Sequence, residues 1–294
     1  MLLLPRFDYE EPKDLSEACR ILAGLKGNGK VIAGGTDLLV NMKKGLISPT
    51  CLVGISKIPG LSEIEPQNGS IFIGSNLIVA KLTEFEVIKK KYPMLYEAAS
   101  VLGSPLIRNR ATIGGNIVTA RPAADLPPPL IAMGARVRLK NRRGEREVEL
   151  DRFFKGPGET IIKKDEILTG IILDEPPIFS GGNYIKLGHR KALEIAIVAV
   201  ASFIVLDKPD GIIMDAKVIL SSVAPKAIHA VSAEKTLIGE KPTDKLIERA
   251  ANLASQDCSP IDDIRGSAQY RCAMVEVLTK RTLTAALKQA KKSR

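Results

Sequence analysis

The 294-residue sequence is poor in the aromatic and imidazole side chains that many binding and catalytic sites use. It has no tryptophan, two histidines and only 4% aromatic residues. Proteins that bind single-stranded nucleic acid need aromatic rings on which bases stack, and such rings are scarce here. The net charge of +10 therefore does not indicate a nucleic-acid-binding protein, because the basic residues are scattered among 33 acidic ones.

Cysteine is also scarce, and the four cysteines are too far apart for a CxxC motif or for the ligand spacing of a zinc site. We expect reduced, mostly buried thiols and no metal site in this chain. Neither histidine lies in a glycine-rich loop, and no Ser–His–Asp arrangement or pair of acid–base carboxylates can be recognised. The sequence thus predicts no catalytic side chain. The residues concerned are Cys19, Cys51, Cys258, Cys272, His189 and His229.

Long hydrophobic runs are absent. The longest one, from Ile195 to Leu206, is too short to span a bilayer and is better explained as a buried strand. No basic region precedes the N-terminal apolar residues, so we do not interpret them as a signal peptide. With 45% hydrophobic and 26% charged residues, the composition is that of a globular protein, which we expect to be cytoplasmic.

The most informative stretch that is present, VIAGGTDLL, runs from Val31 to Leu39. A short β-branched strand leads into a pair of glycines, and a helix is predicted from Leu38 to about Lys44, with Gly45 just past its end. Main-chain N–H groups in a glycine loop can approach an oxyanion, and the helix start adds a partial positive charge. The pattern is typical of a pyrophosphate-binding loop, although a plain turn without a ligand has the same pattern.

A second pair of adjacent glycines lies in the stretch from Arg108 to Val118, RNRATIGGNIV. One interpretation is another turn, which enters a strand at Ile117. The other is a second backbone clamp, in which Thr112 and Asn116 donate hydrogen bonds to phosphate or ribityl oxygens.

A carboxylate, Asp125, follows shortly after this stretch and directly precedes Leu126 and the triple proline Pro127–Pro129. A carboxylate near two oxyanion loops suits hydroxyl groups rather than phosphate, as in nucleotide-binding folds whose acidic residue holds a ribose. We therefore expect Asp125 to belong to the same site.

Periodicity and turn chemistry predict the remaining elements. The first helix is expected from Pro12 to Leu25, where Asp14 and Glu17 have capping-box spacing. The clearest change in composition is the run from Asp174 to Pro177, followed by Ser180–Gly182, and we place a domain boundary there. Further strands are predicted at 51–55, 71–73, 167–173, 184–187, 195–206 and 212–220, a hairpin over 135–150, and helices at 83–91, 93–102 and 130–133, with a helical region over 263–292 that is broken once.

Six short motifs, in this order, resemble the FAD-binding medium subunit of the molybdenum hydroxylases. That family includes carbon monoxide dehydrogenase, xanthine dehydrogenase and aldehyde oxidase, and the resemblance covers the whole chain. The motifs are AGGTDLL at 33–39, RNRATIGGN at 108–116, ADLPP at 124–128, FFKGPGET at 153–160, EIL at 166–168 and NYIKLGHRKALEIA at 183–196.

The resemblance implies an α+β fold with two domains. Residues 1–176 would form a two-part FAD-binding domain of the vanillyl-alcohol-oxidase (PCMH) type, with a small α/β part over about 1–56 and a larger part over about 57–176. Residues 177–294 would form a C-terminal domain similar to that of the CO dehydrogenase flavoprotein, with a three-stranded antiparallel sheet and a helical bundle.

The resemblance also implies a set of FAD-binding residues. Two segments would bind the pyrophosphate and the ribityl chain, Asp125 would lie against the ribityl or phosphate region, Leu168 would pack near the adenine, and Lys186 would reach the flavin ring. Leu102, Tyr184, Arg190 and Glu194 would lie near the cofactor. The two segments comprise Val31, Ile32, Ala33, Gly34, Gly35, Thr36, Asp37 and Leu38, and Thr112, Ile113, Gly114, Gly115 and Asn116.

A cation at Lys186 or Arg190 would stabilise the negative charge that develops on a reduced flavin and so raise its reduction potential. The plain alternatives are a solvated lysine on a strand, and a surface ion pair between Arg190 and Glu194. Some relatives by fold attach flavin covalently through histidine. Since neither histidine lies in a glycine loop, we expect non-covalent FAD.

In the family, a molybdopterin centre on a large subunit oxidises the substrate, and two [2Fe–2S] clusters on a small subunit carry the electrons. The resemblance therefore implies that this chain is the flavoprotein subunit of a dimer of heterotrimers, and that it passes electrons from those clusters to NAD or another acceptor. Two alternatives stay open. A stand-alone FAD oxidoreductase would need a base and a substrate pocket over the flavin, and a non-catalytic FAD-binding assembly subunit would lack turnover.

Overall fold

The computed structural model describes residues 3–190 and 193–293. Lys191 and Ala192, within the NYIKLGHRKALEIA motif, and Met1 and Leu2 of the N-terminal apolar run lie outside this range. The helices of the described residues are α1 (Leu15–Gly24), α2 (Leu38–Lys43), α3 (Val79–Leu82), α4 (Glu86–Lys91), α5 (Pro93–Val101), α6 (Pro105–Arg108), α7 (Ile113–Val118), α8 (Pro127–Ala132), α9 (Val231–Leu237), α10 (Asp244–Asp257) and α11 (Ala268–Ala290). The strands are β1 (Asp8–Glu10), β2 (Gly29–Ile32), β3 (Cys51–Gly54), β4 (Ile64–Gln67), β5 (Ser70–Gly74), β6 (Arg136–Asn141), β7 (Gly144–Glu149), β8 (Phe154–Gly156), β9 (Glu159–Thr160), β10 (Ile167–Asp174), β11 (Ser180–Leu187), β12 (Val198–Leu206), β13 (Ile213–Ser221) and β14 (Ile228–His229).

The N-terminal part of the chain is a small parallel sheet in the order β1-β3-β2, against which α1 packs. Asp14 begins α1 by accepting a hydrogen bond from the Glu17 amide at 2.8 Å, so the predicted cap is confirmed, although the helix starts after Asp14 rather than at Pro12. Buried residues of α1 and β3 form its core, and Leu61 and Ile167, from later in the chain, complete that core.

The second sheet is antiparallel in the order β4-β5-β10-β6-β7, with β10 at its centre. Seven of the eight β10 residues are buried, as expected for a central strand, and helices α3 to α8 share a hydrophobic core with this sheet. The predicted hairpin is the β6–β7 pair. Its basic side chains pair with acidic partners, as Arg138 does with Glu147 at 3.0 Å and Lys140 with Glu145 at 2.7 Å, so they form a solvated charged face.

The third sheet, in the order β11-β12-β13-β14 among the described strands, is antiparallel and packs against α9, α10 and α11. The three predicted strands are present, and the two-residue β14 adds a short fourth strand at the edge. The predicted break in the last helix is wrong, because α11 runs without interruption over 23 residues from Ala268 to Ala290. No described helix is both long enough and apolar enough to cross a membrane.

The strand predicted over 184–187 begins earlier, at Ser180. Ser180, Gly181 and Gly182 belong to β11 and are buried there, because Gly181 packs tightly on the backbone of α11. Cys258 and Cys272, which no sequence spacing connects, have sulfur atoms 3.2 Å apart, since one ends α10 and the other lies in the first turns of α11.

Candidate cofactor-binding site

A cavity of about 560 Å³ lies between the N-terminal parallel sheet and the larger part of the chain. Its size is typical of small-molecule and cofactor sites. Most of the predicted FAD-binding residues line it, namely Val31, Ile32, Ala33, Gly34, Gly35, Thr36, Asp37, Leu38, Leu102, Thr112, Gly114, Gly115, Asn116 and Leu168. The sequence motifs thus converge on one cleft, although they come from four separate segments.

The loop between β2 and α2 presents main-chain donors to this cleft. None of the five successive amide groups from Gly34 to Leu38 donates to a backbone acceptor within residues 3–190 and 193–293, and the Asp37 side chain does not cap the helix. Gly35 has a φ of +75°, which only glycine adopts without strain, so the turn is glycine-dependent. Unbonded amides that line a cavity can bind an anion, so pyrophosphate binding by this loop stays a prediction.

The second glycine stretch has a different construction. It is not a turn that enters a strand at Ile117, because residues 113–118 form helix α7, with Thr112 as its N-cap. The amides of Ile113 and Gly114 donate to the carbonyls of Leu77 (3.0 Å) and Ser75 (2.8 Å). The interpretation as a second backbone clamp is therefore wrong, since the first amides of this helix are already bonded within the protein.

Side chains supply the donors of this second segment instead. Thr112 Oγ1 accepts from the Gly115 amide at 3.1 Å, which leaves the hydroxyl proton free to donate. Asn116 Oδ1 accepts from the Leu126 amide at 3.3 Å, and Asn116 Nδ2 has no partner in the part of the chain that the structure describes. Both side chains belong to cavity-lining residues and are available to donate to a ligand. Ile113, by contrast, is fully buried in the core behind the cleft.

Asp125, Tyr184 and Lys186 form a buried cluster beside the cavity rather than in its lining. Lys186 Nζ lies 2.9 Å from Asp125 Oδ2, and the Tyr184 hydroxyl donates to Asp125 Oδ1 at 3.1 Å. The Lys186 and Asp125 side chains are only 7% and 8% exposed, so the interpretation of Lys186 as a solvated lysine is wrong. Lys186 also donates to the carbonyl of Val101 at 3.2 Å, directly before the cavity-lining Leu102.

The electrostatics of this cluster follow from its burial. Burial raises the pKa of Asp125, and the nearby Lys186 charge and the hydrogen bonds from Lys186 and Tyr184 only partly offset this rise. Burial, together with the Asp125 charge, raises the pKa of Tyr184 well above its ordinary value, so Tyr184 remains a neutral donor. Asp125 thus accepts from two protein donors, and its contact with ligand hydroxyls stays a prediction.

Helix α5 fixes the strand that carries this cluster. Glu97 on α5 accepts the Tyr184 amide at 3.0 Å, on the edge of β11 that no described strand covers. Burial raises the pKa of Glu97. This contact holds Tyr184 beside the middle of α5, and Lys186 reaches the carbonyl of Val101 at the C-terminal end of the helix.

Arg190 and Glu194 lie apart from the cavity lining. Arg190 Nε is 2.9 Å from Glu194 Oε2, and the Arg190 side chain is 66% exposed. The alternative of a surface ion pair therefore describes these two residues. His189 Nε2 lies 3.0 Å from the carbonyl of Arg265 in the C-terminal domain, also away from the cleft.

Several cavity-lining residues were not predicted from the sequence. Ser75 has a buried hydroxyl without a hydrogen-bond partner among the described residues. Arg121 donates to Asn41 at 3.2 Å and so connects the segment after α7 to α2 across the cleft. Lys163 and Lys164 add positive charge at the end near Leu168. Isolated lysines and serines in loops carry no periodic signal, so sequence patterns could not single them out.

The donor set fits a dinucleotide with a pyrophosphate. Unbonded amides, the free Asn116 amide and nearby cations suit oxyanions, and the apolar Leu102 and Leu168 suit ring systems. Among the described residues, no group of three or more His, Cys, Asp and Glu side chains is arranged to hold a metal ion.

Comparison with known proteins agrees with this fit. Residues 5–176 match the family described as the FAD binding domain in molybdopterin dehydrogenase, and residues 183–286 match the CO dehydrogenase flavoprotein C-terminal domain. The carbon monoxide dehydrogenase medium chain of Hydrogenophaga pseudoflava is 33% identical over 97% of this chain and 98% of its own length. The 6-hydroxypseudooxynicotine dehydrogenase complex subunit alpha of Paenarthrobacter nicotinovorans is also 33% identical, over 98% of this chain and 96% of its own.

A solved structure of the carbon monoxide dehydrogenase from Hydrogenophaga pseudoflava, in a form that lacks the Mo-pyranopterin moiety of the molybdenum cofactor, superimposes with a TM-score of 0.92. The identity is 33%, and the match covers 97% of this chain and 98% of that one. The chain belongs to the family of FAD-binding subunits of molybdenum hydroxylases. The predicted family, its two-part FAD-binding fold with a C-terminal domain, and the FAD cofactor are thereby confirmed.

Proposed function

We propose that this chain binds FAD non-covalently in the cleft and acts as the electron-output subunit of a larger complex. In this role it takes electrons from the [2Fe–2S] clusters of a partner subunit and passes them to NAD or another acceptor. The observation that carries the proposal is the loop of unbonded amides from Gly34 to Leu38, which opens into a cavity of cofactor size.

The chain's residues divide the cleft into three regions. The amides of the first loop would hold the pyrophosphate in the middle, with the Thr112 hydroxyl and the Asn116 amide as further donors to the phosphates or the ribityl chain. Leu102 would pack at the flavin end, and Leu168 at the adenine end. When bound, FAD supplies the two-electron and one-electron chemistry.

Lys186 would tune the cofactor from behind the cavity wall. The buried ammonium of Lys186 donates to the carbonyl of Val101 at the end of α5, directly before Leu102. Its positive charge there favours the addition of an electron to the flavin. Asp125 partly cancels this charge and also fixes the position of the ammonium. Arg190 is exposed and paired with Glu194, so we assign it no more than a peripheral place near the flavin end.

The proposed partners are a large molybdopterin subunit and a small iron–sulfur subunit, in a dimer of heterotrimers. Two relatives bear the names of a medium chain and of a complex subunit, which supports a multi-subunit assembly. The cysteines of this chain also support iron–sulfur clusters on a partner, since the two closest thiols, Cys258 and Cys272, lie in the C-terminal domain away from the cleft.

A visible absorption spectrum of the purified chain, followed by acid precipitation and identification of the released flavin, tests the proposal. We expect about one FAD per chain, all of it released by acid. Flavin that stays with the precipitated protein would contradict non-covalent binding. Absence of flavin after incubation with excess FAD would contradict the proposal as a whole and favour a scaffold role.

Electron transfer requires a separate measurement on the complex purified with its partners. Rapid mixing of the anaerobically reduced complex with NAD, oxygen or a quinone should reoxidise the flavin with one of them. The isolated chain should not be reduced by small substrates, because in the proposed role its electrons come from a partner subunit. Direct reduction of the isolated chain by such a substrate would favour a stand-alone oxidoreductase.

A further inference from the structure

We propose that Arg146 is a positioning residue for the adenosine half of FAD, because its guanidinium clamps the segment 161–166 that forms one end wall of the cleft. This inference rests on the proposed FAD binding in the cleft. It extends that function to a residue which does not itself line the cavity.

The clamp is a bidentate ion pair with a third contact. Arg146 Nε and Nη2 donate to the two carboxylate oxygens of Glu166, each at 2.8 Å, and Nη2 also donates to the carbonyl of Ile161 at 3.3 Å. The Lys163 amide donates to the same carboxylate at 2.8 Å. One guanidinium therefore holds both ends of the segment, and the Glu166 carboxylate holds its middle.

The burial of Glu166 makes this contact decisive for the wall. The Glu166 side chain is 2% exposed and that of Arg146 is 36% exposed. Burial alone would raise the pKa of Glu166, but the hydrogen bonds from Arg146 and from the Lys163 amide outweigh it, so the pKa lies below its ordinary value. Without Arg146, the segment would keep a buried carboxylate that lacks its counter-charge, and it would have to rearrange to hydrate it.

The clamped segment and the start of β10 face the N-terminal part of the chain across the cavity. Ile162, Lys163 and Lys164 line the cavity on one side, and Leu22 and Gly27 line it on the other. The Lys164 side chain packs closely on Gly27: a Cβ atom added at position 27 would lie 2.5 Å from Lys164 Cδ. A displacement of the segment would therefore open this end of the cleft.

The proposed order of FAD in the cleft assigns this end to adenosine. The buried cation Lys186 donates to the carbonyl next to Leu102, and an electron-accepting ring placed there gains most from a positive charge. The unbonded amides of the first loop suit the pyrophosphate, which joins the two halves of FAD. FMN lacks the adenosine half and would not reach the clamped wall. A change in that wall should therefore affect the binding of FAD and not that of FMN.

The test compares dissociation constants for FAD and FMN, measured by flavin fluorescence on the full chain after removal of bound flavin. The variants are Arg146→Ala, Arg146→Lys and Glu166→Gln, with Arg152→Ala as the matched control. Arg152 forms an exposed ion pair with Glu149, with side chains 77% and 61% exposed, near the end of the same hairpin. Near-ultraviolet circular dichroism establishes that each variant is folded.

We expect Arg146→Ala to weaken FAD binding by about tenfold or more and to leave FMN binding within about twofold. Arg146→Lys restores the charge without the bidentate geometry and should recover part of the loss. Glu166→Gln should also weaken the binding of FAD and not that of FMN, but by a smaller factor. If Arg146→Ala does not fold, Glu166→Gln and Arg146→Lys provide the test. Arg152→Ala should bind both flavins like the wild type.

Three results would overturn the inference. FAD binding that is unchanged in Arg146→Ala would mean that the clamp does not shape the site. Equal losses for FAD and FMN would mean a general structural effect, or a cofactor bound in the opposite direction. A wild-type chain that binds neither flavin would overturn the proposed function as well, and the two failures are thus distinguishable.

Discussion

Gly34 packs against the carbonyl group of Arg110 so closely that a Cβ atom at position 34 would overlap the Arg110 oxygen. The amide-presenting loop and the segment that leads into α7 are therefore in direct backbone contact. Gly115, in contrast, has only the Thr112 hydroxyl within 4 Å of an added Cβ atom, at 2.9 Å, and it lines the cavity. Two glycines of similar motifs thus differ: Gly34 permits close backbone packing, and Gly115 lines the cavity.

We expect Gly34→Ala to lower the free energy of unfolding of the FAD-free protein by about 1–3 kcal/mol or more, because the methyl group forces two backbone segments apart. Gly115→Ala should lower it less, by about 1 kcal/mol, because the methyl group displaces only the Thr112 hydroxyl that caps α7, but it should weaken FAD binding. Urea denaturation and FAD titration measure the two effects. Gly24→Ala, where an added Cβ meets nothing within 4 Å, is the control. Equal effects of the two substitutions on both quantities would contradict this division of roles.

The Lys186–Asp125 pair should be strongly coupled, because both side chains are buried and removal of either one leaves an uncompensated charge. Asp125→Asn and Lys186→Met should each lower the free energy of unfolding by about 3–5 kcal/mol, and the double variant by less than the sum. A double-mutant cycle from urea denaturation measures the coupling. The ion pair of Lys280 and Glu248, whose side chains are 54% and 56% exposed, should have a coupling free energy of less than about 1 kcal/mol. Similar coupling free energies for the buried and the exposed pair would contradict this prediction.

His229 should make stability depend on pH in the neutral range. The hydrogen bond from its Nδ1 to Glu234 at 2.8 Å, together with the charges of Glu234 and Asp151, raises the pKa of His229 above its ordinary value. A raised pKa contributes stability that is fully present below the unfolded-state pKa and is lost as the pH rises through the folded-state pKa.

The thermal midpoint of the wild type should therefore exceed that of His229→Gln by more at about pH 6 than at about pH 8.5. His229 does not line the cavity, so the wild type and His229→Gln should bind FAD with the same dissociation constant. A difference in midpoint that is independent of pH, or that grows towards high pH, would show that the ion pair does not account for the effect of the substitution.

Ser75 should be a rare position at which loss of a buried hydroxyl stabilises the protein. Its hydroxyl is buried and has no partner among the described residues, and a buried polar group without a hydrogen bond costs about 1–3 kcal/mol. Ser75→Ala should thus raise the thermal midpoint of the FAD-free chain. Ser202→Ala is the matched control, because that buried hydroxyl lies 2.7 Å from Thr282 Oγ1 and its loss should destabilise by about 1 kcal/mol. Destabilisation by both substitutions to the same extent would reveal a partner for Ser75.

Features with local causes were predictable from the sequence. The cap at Asp14, the bounds of α2 and the β6–β7 hairpin depend on residues within a few positions of one another, and their patterns are visible in the sequence. The convergence of the glycine stretches on one cleft was predictable only through the family resemblance, because no local rule places residues 34 and 114 together.

The errors share a physical cause, which is contact between distant segments. The stretch after Thr112 becomes a helix whose first amides bond to Leu77 and Ser75, and nothing in its own composition indicates those acceptors. Asp125 pairs with Lys186, which lies far away in the sequence, and no local pattern indicates that contact. The clamp by Arg146 likewise depends on the register that brings β7 beside the end of the 161–166 segment.

The N-terminal core that Leu61 and Ile167 complete has a consequence for biosynthesis. The ribosome releases α1 and the first three strands well before Ile167 emerges, and at 5–20 residues per second the interval is roughly 5 to 20 seconds. During that time the apolar faces of Ala18, Leu22 and Val53 are incompletely covered. Chaperones can therefore bind the exposed apolar residues of the nascent chain over this interval. The core of the parallel sheet is completed late, although its strands are synthesised first.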